Sequence, residues 1–185
     1  MSKSKILVVG GTGYVGKRIV KASLAQGHPT YILMRRETGF DIEKVQMLLS
    51  FKKQGAGLVE GSFSDHQSLV DAVKQVDVVI CTISGFYIGH IIFSFNLSLL
   101  MPSKMLETSR SFISCRFLPS EFGMDLSQMG HALDLGQETF DKMSIRKAIE
   151  EAGIPYTYIS ANCLGSYFVR NLSQLDSLMP PKDRV

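Results

Sequence analysis

The stretch Val8-Val9-Gly10-Gly11-Thr12-Gly13-Tyr14-Val15-Gly16 decides the fold. The apolar run Ile6-Leu7-Val8-Val9 before it predicts a buried strand, and the amphipathic pattern after it predicts a helix. In such a unit the first glycine makes the turn, the second lets the backbone approach a pyrophosphate, and the third lets the helix pack on the strand. The N–H groups and dipole of the helix N-terminus then bind the phosphates. We therefore predict a dinucleotide site, rather than a glycine-rich turn that binds nothing, formed by Gly10, Gly11, Thr12, Gly13, Tyr14, Val15 and Gly16.

Length and composition indicate one domain of an ordinary α/β protein. The chain has 185 residues, of which 45% are hydrophobic, and its formal net charge is +3. This charge is too small to indicate a nucleic-acid partner, and no basic stripe interleaved with aromatic residues is present. Cys81, Cys115 and Cys163 are odd in number and far apart, so we expect reduced core thiols and no metal site.

The sequence carries no targeting signal that we recognise. The first apolar run is too short and too close to Met1 for a signal peptide, and no apolar stretch reaches membrane-spanning length. We therefore expect a cytoplasmic protein without a membrane partner.

Two basic positions favour NADP(H) over NAD(H). The predicted second strand, Thr30-Tyr31-Ile32-Leu33-Met34, ends in Arg35-Arg36, where an acidic residue would bind the ribose 2′-hydroxyl of NAD. Arginine suits a 2′-phosphate instead, because its guanidinium pairs with phosphate bidentately. Lys44, on a helix predicted from Glu43 to Lys53, could add a second positive charge. The alternative is that these side chains are simply solvated.

The following pattern predicts more strands and helices in alternation. A third strand is expected near Gly57-Leu58-Val59-Glu60, a helix from Gln67 to Lys74, and a fourth strand over residues 76–82. The fourth strand is a nearly continuous apolar run, which is typical of a parallel strand buried on both faces. Its exit loop borders the topological switch crevice, so Ser84 is a candidate to line the cofactor, unless this is an ordinary turn.

The last part of the pattern completes a doubly wound parallel α/β sheet of the Rossmann type. Residues 116–125 predict a fifth strand and its exit loop, and residues 140–152 predict a helix that Gly153 caps. Tyr156 to Asn162 reads as a sixth strand. Strands and helices that alternate in this way form a sheet with helices on both faces.

Lys142 is the best candidate for a catalytic proton carrier. The sequence contains neither a Tyr-x-x-x-Lys pair nor a Gly-x-Ser-x-Gly elbow. A lysine that acts as a base near neutral pH needs burial or neighbouring cations. Arg146, one turn later, is such a cation, although Asp141 opposes it. The alternative is a solvated lysine on an exposed helix face.

The sequence resembles the isoflavone-reductase-like group, plant NADPH-dependent reductases of phenylpropanoids. The stretches that carry the resemblance are residues 10–16, 116–125 and 145–158, and residues 5–84 are most similar to pinoresinol-lariciresinol reductases. The resemblance implies that the glycine turn holds the NADPH pyrophosphate. It also implies the roles of four side chains: 2′-phosphate binding by Arg35 and Lys44, catalysis by Lys142, and a cofactor contact by Arg146.

The resemblance further implies a reaction and a domain organisation. The lysine helps to deprotonate a phenolic lignan, its benzylic ether opens, and NADPH delivers hydride to the benzylic carbon. Residues 1–170 would form the Rossmann domain, and residues 171–185 the truncated start of the family's substrate domain, which is otherwise missing. A non-catalytic NADP(H)-binding regulator of the NmrA-like type is the alternative. A homodimer is one candidate assembly.

Residues 86–115 do not fit this scheme. Apolar residues at positions 93, 95, 97 and 99 have strand spacing where a crossover helix is required, and Pro102 would break a helix. With suitably chosen codons, the family's sequence read one base out of frame translates into residues 90–109. We hypothesise that one base was lost near Gly89 and that the frame recovered near Cys115.

Overall fold

The computed structural model describes residues 3–35, 39, 41–62, 65–83, 115–123, 137–151 and 153–161. The parallel strands within these ranges are β1 (Ile6–Val9), β2 (Thr30–Met34), β3 (Gly57–Glu60), β4 (Val78–Cys81) and β5 (Arg116–Leu118). The helices are α1 (Gly16–Ala25), α2 (Ile42–Lys53), α3 (His66–Val73) and α4 (Gln137–Glu151). Ser84 and residues 86–114, which include the hypothetical frameshift, lie outside the described residues, as do residues 162–185.

The strand order confirms the doubly wound sheet. The five strands lie in the order β3-β2-β1-β4-β5, and all their pairings are parallel. The chain first runs outward from β1 to β3 and then returns to β4 on the other side of β1. Val9 pairs with both Leu33 and Cys81, so the three carboxyl ends meet at one edge of the sheet. Ligands of open α/β sheets bind at such a switch point.

Alternate strand residues pack on opposite faces of the sheet, as the pleat requires. On one face, side chains of β1 and β2 pack with those of α1 and α2, and the buried members are Val8, Val20, Ile32, Leu48, Phe51 and Ala56. On the other face, α3 and α4 cover a larger cluster that includes Leu7, Val9, Leu69, Val79, Phe117, Ile145 and Ile149. The sheet edge that carries the glycine turn is therefore supported from both sides.

The helix boundaries have local chemical causes. The Asp41 side chain accepts a hydrogen bond from the Lys44 N–H at the start of α2, and Asp65 accepts from Gln67 and Ser68 at the start of α3. The predicted cap at the end of α4 is confirmed, because Gly153 has a φ of +65°.

Two strand predictions need correction. The fourth strand alternates between half-buried and buried residues, with Val79 and Cys81 buried, so it is not uniformly enclosed. The predicted sixth strand is wrong within residues 156–161, where Tyr156 makes only an isolated bridge to Phe117. Pro119 follows β5 directly and has no N–H to donate. The edge of β5 is therefore too short for a sixth strand to pair with.

Candidate functional site

The glycine turn has the geometry that its sequence predicts. Gly10 has a φ of +84°, which L side chains rarely adopt, and its carbonyl accepts a hydrogen bond of 2.9 Å from the Gly13 N–H. A Cβ added to Gly16 would lie 2.2 Å from the Gly10 carbonyl oxygen. The third glycine therefore lets the first turn of α1 pack directly on the end of β1, as predicted.

The turn presents backbone donors that no atom of the described residues accepts. Among the residues that the structure describes, the N–H groups of Gly11, Thr12 and Val15 donate to no protein acceptor, although Gly11 is buried. The N-terminus of α1 has no side-chain cap and no acidic residue in its first turn. A buried donor without an acceptor is costly unless a ligand completes it. The arrangement therefore fits a phosphate group, which is an anion rich in acceptor oxygens.

Tyr14 and Arg18 form a stacked pair beside the turn. The Arg18 guanidinium carbon lies 3.8 Å from the centre of the Tyr14 ring, and Nη1 donates to the Tyr14 carbonyl oxygen at 2.7 Å. The Tyr14 ring is 54% exposed. Arg18 thus holds a positive charge one turn into the helix whose N-terminus is the candidate phosphate site, a feature that the sequence reasoning missed.

The two basic residues predicted to bind the 2′-phosphate have different surroundings. Arg35 is exposed and follows β2, at the same edge of the sheet as the glycine turn. The Lys44 Nζ lies 2.7 Å from Asp41 Oδ2 in an ion pair that is about half exposed. Hydrogen bonds and charge from Lys44 hold the pKa of Asp41 below its usual 3.8. Lys44 therefore already has an anionic partner with which a phosphate would compete.

Thr82, which the sequence reasoning did not single out, ties the glycine turn to β4. Its Oγ1 lies 2.9 Å from the Val9 carbonyl oxygen and 3.1 Å from that of Gly10. Its N–H also donates to the Val9 carbonyl oxygen at 2.9 Å. The sequence feature that could have indicated this role is a hydroxyl residue directly after a buried strand.

A buried ion pair connects the exit loop of β5 to α4. Arg146 donates from Nε to Glu121 Oε1 at 3.0 Å and from Nη2 to Oε2 at 2.9 Å. The side chains of Arg146 and Glu121 are only 13% and 3% exposed. The Arg146 guanidinium also lies 4.8 Å from the centre of the Tyr158 ring. The structure therefore gives Arg146 a packing and pairing role, and its predicted cofactor contact stays a prediction.

The Tyr158 side chain contacts both Arg146 and Glu150 of α4. Burial, together with the carboxylate of Glu150, raises the pKa of the Tyr158 phenol well above its usual range. The Tyr158 hydroxyl donates to Glu150 Oε1 at 3.3 Å. The phenol is therefore a neutral donor over the whole physiological range.

Lys142, the predicted catalytic residue, lies against the loop that follows β5. Its Nζ is 3.8 Å from the position that a Cβ on Gly123 would occupy, and the residue is half-buried. The Ser160 hydroxyl donates to the Gly123 carbonyl oxygen at 3.1 Å and so anchors the same loop. Ser120 Oγ donates to the Ile83 carbonyl oxygen at 2.6 Å, which joins this loop to the exit of β4. Lys142 thus lies beside a loop on the sheet edge that also carries the glycine turn.

The structure also bears on the other predicted features. Within the described ranges, no group of three or more metal-ligating side chains is present, and no helix is long and apolar enough to cross a membrane. Cys81 and Cys115 are buried free thiols, and burial raises the pKa of each to about 11. For these two residues the prediction of core thiols is confirmed.

Characterised proteins of high similarity are plant reductases. The chain is 64% identical over 188 residues to an isoflavone reductase homolog of Lupinus albus. It is 63% identical over 187 residues to a bifunctional pinoresinol-lariciresinol reductase of Linum usitatissimum. Both alignments cover 100% of this chain but only 58% and 57% of the relatives, so the chain spans a little over half of their length.

Solved structures agree with the fold and with the predicted resemblance. The structure of AtPrR2 with NADP+ and (+)pinoresinol matches with a TM-score of 0.81 at 53% sequence identity, covering 100% of this chain and 58% of that one. The resemblance to pinoresinol-lariciresinol reductases is thereby confirmed. The model of the NmrA-like family matches residues 2–184, which is nearly the whole chain. The chain therefore belongs to the NmrA-like family.

Proposed function

We propose that this chain binds NADPH and acts as a reductase that opens the benzylic ethers of lignans such as pinoresinol and lariciresinol. The observation that carries the proposal is the position of Lys142. Its amine lies beside the loop after β5, on the sheet edge where the glycine turn presents N–H groups without an acceptor among the described residues. The identity of 63% to a bifunctional pinoresinol-lariciresinol reductase supports the substrate class.

Each predicted site residue has a distinct role in the proposal. The N–H groups of the turn bind the pyrophosphate, and Arg35 and Lys44 attract the 2′-phosphate. NADPH, when bound, supplies the hydride. Arg146 supports the site by fixing α4, because the Glu121 carboxylate compensates its charge.

Lys142 has the chemical task in the proposal. A primary amine that is close to the substrate phenol can accept its proton, which favours loss of the ether oxygen from the benzylic carbon. The half-buried position beside Gly123 restricts the directions from which a phenol can reach the amine. The small phenolic substrate, a homodimeric assembly and a cytoplasmic location stay predictions.

The proposal is tested by following NADPH oxidation with pinoresinol in the purified chain. We expect pinoresinol-dependent turnover that Lys142→Met abolishes while the affinity for NADPH stays within about twofold, since the amine acts on the substrate. Lys147→Met is the matched control, because Lys147 lies on the same helix with a side chain that is 76% exposed. Cofactor binding without any turnover would contradict the reductase and favour the non-catalytic regulator.

A further inference from the structure

Thr82 places a hydroxyl group against the glycine turn from the end of a neighbouring strand. It follows β4, which pairs with β1 at the topological switch. A Cβ on Gly16 would lie 2.7 Å from Thr82 Oγ1, and one on Gly10 would lie 2.9 Å from it. The absence of these two side chains therefore leaves the space that the hydroxyl group fills.

The Thr82 hydroxyl has one hydrogen and two backbone acceptors within reach, the Val9 carbonyl oxygen at 2.9 Å and the Gly10 carbonyl oxygen at 3.1 Å. The Val9 carbonyl oxygen also accepts from the Thr82 N–H at 2.9 Å. The Gly13 N–H donates to the Gly10 carbonyl oxygen at 2.9 Å. Thr82 and Gly13 together hold the Gly10 carbonyl inside the turn.

The orientation of this carbonyl determines where the next N–H points. The described peptide bonds are trans and planar, so the Gly11 N–H points opposite to the Gly10 carbonyl. This N–H is the buried donor that finds no acceptor among the described residues. If the peptide rotated, the partly negative carbonyl oxygen would turn toward the phosphate position and the donor would turn away. The hydroxyl of Thr82 therefore affects the phosphate site by fixing the orientation of the peptide group between Gly10 and Gly11.

We propose that Thr82 is a positioning residue for the pyrophosphate, which keeps the Gly11 N–H directed at the phosphate by holding the Gly10 carbonyl away from it. The inference rests on the proposed NADPH site and deepens it. It concerns β4, a strand that contributes nothing to the glycine motif in the sequence.

The matched variants are Thr82→Val, which keeps the shape but removes the hydroxyl, and Thr82→Ser, which keeps the hydroxyl. In calorimetric titrations we expect Thr82→Val to weaken NADPH binding about fivefold, the effect of one net hydrogen bond, and Thr82→Ser to stay within about twofold of the parent. Adenosine 2′-monophosphate, which has no pyrophosphate, is the second probe. Its affinity, followed by NMR, should be unchanged in both variants.

Two outcomes would overturn the proposal. The first is that Thr82→Val binds NADPH as tightly as Thr82→Ser. The second is that Thr82→Val weakens both probes equally, which would indicate general damage to the fold. Failure of the NADPH site itself is seen separately, as absence of binding by the parent chain. In that case hydrogen exchange of the Gly11 amide in the free protein still tests the positioning, because faster exchange in Thr82→Val than in Thr82→Ser is expected.

Discussion

Substitution of Gly16 by alanine tests the packing on which the cofactor site depends. The added Cβ would lie 2.2 Å from the Gly10 carbonyl oxygen and 2.8 Å from the Gly10 carbonyl carbon. Both atoms belong to the backbone of the turn, so neither can swing aside as a flexible side chain would. Either α1 or the turn has to move by roughly 1 Å to restore a normal contact.

The expected cost follows from this displacement. Overpacking of this kind destabilises proteins by about 1–3 kcal/mol. The higher helix propensity of alanine stabilises the fold by less than about 1 kcal/mol. A net loss of about 1–2 kcal/mol is therefore expected. Displaced N–H groups would also lose hydrogen bonds to the phosphates, which contribute about 1.5–3 kcal/mol each. NADPH affinity should then fall about tenfold or more.

Urea unfolding and NADPH titration measure the two effects. Gly39→Ala is the matched control, because no heavy atom of another described residue, apart from its chain neighbours, lies within 4 Å of its Cβ position. We expect this control to match the parent in both assays. The reasoning is refuted if Gly16→Ala is as stable as Gly39→Ala and binds NADPH equally well.

Two further predictions concern charged pairs. Glu121→Ala should lower the free energy of unfolding by about 3 kcal/mol, because Arg146 loses its two-bond carboxylate partner in a largely buried pair, whereas Glu151→Ala at an exposed pair should cost under about 0.5 kcal/mol. Equal losses in urea unfolding would contradict this. Lys44→Met should return the lowered pKa of Asp41 toward 3.8 in an NMR titration and weaken NADPH but not NADH. The ion pair stabilises the fold fully above about pH 4, and this contribution is lost as the pH falls through the lowered pKa. The variant should therefore show a weaker acid dependence, since the N–H of residue 44 still donates to Asp41; an unchanged Asp41 pKa would contradict the pairing.

The sequence predicted the turn because its chemistry is local. Glycine is required where φ is positive at Gly10 and where α1 touches β1 at Gly16, and both requirements are visible as residue types at fixed spacing. The alternation of apolar strands and amphipathic helices likewise predicted the doubly wound parallel sheet. These features depend on neighbours that are close along the chain.

The missed features depend on residues that are distant along the chain. Glu121 and Arg146 are 25 positions apart, and Thr82 lies 72 positions from Gly10. A local pattern can mark Thr82 as a hydroxyl residue after a buried strand, but it does not show which distant residue such a side chain contacts. The false sixth strand has a related cause, because an apolar, aromatic run predicts a strand only if a neighbouring edge is long enough, and β5 ends at Leu118 before Pro119.

The central claim is that the turn at Gly10 to Gly16 binds the phosphates of NADPH in this chain. Calorimetric titration of the purified chain with NADPH and, separately, with NADH tests it most directly. We predict saturable binding of one NADPH per chain, with weaker binding of NADH because it lacks the 2′-phosphate. Absence of saturable binding would contradict the claim, and equal affinities for the two cofactors would contradict the roles of Arg35 and Lys44.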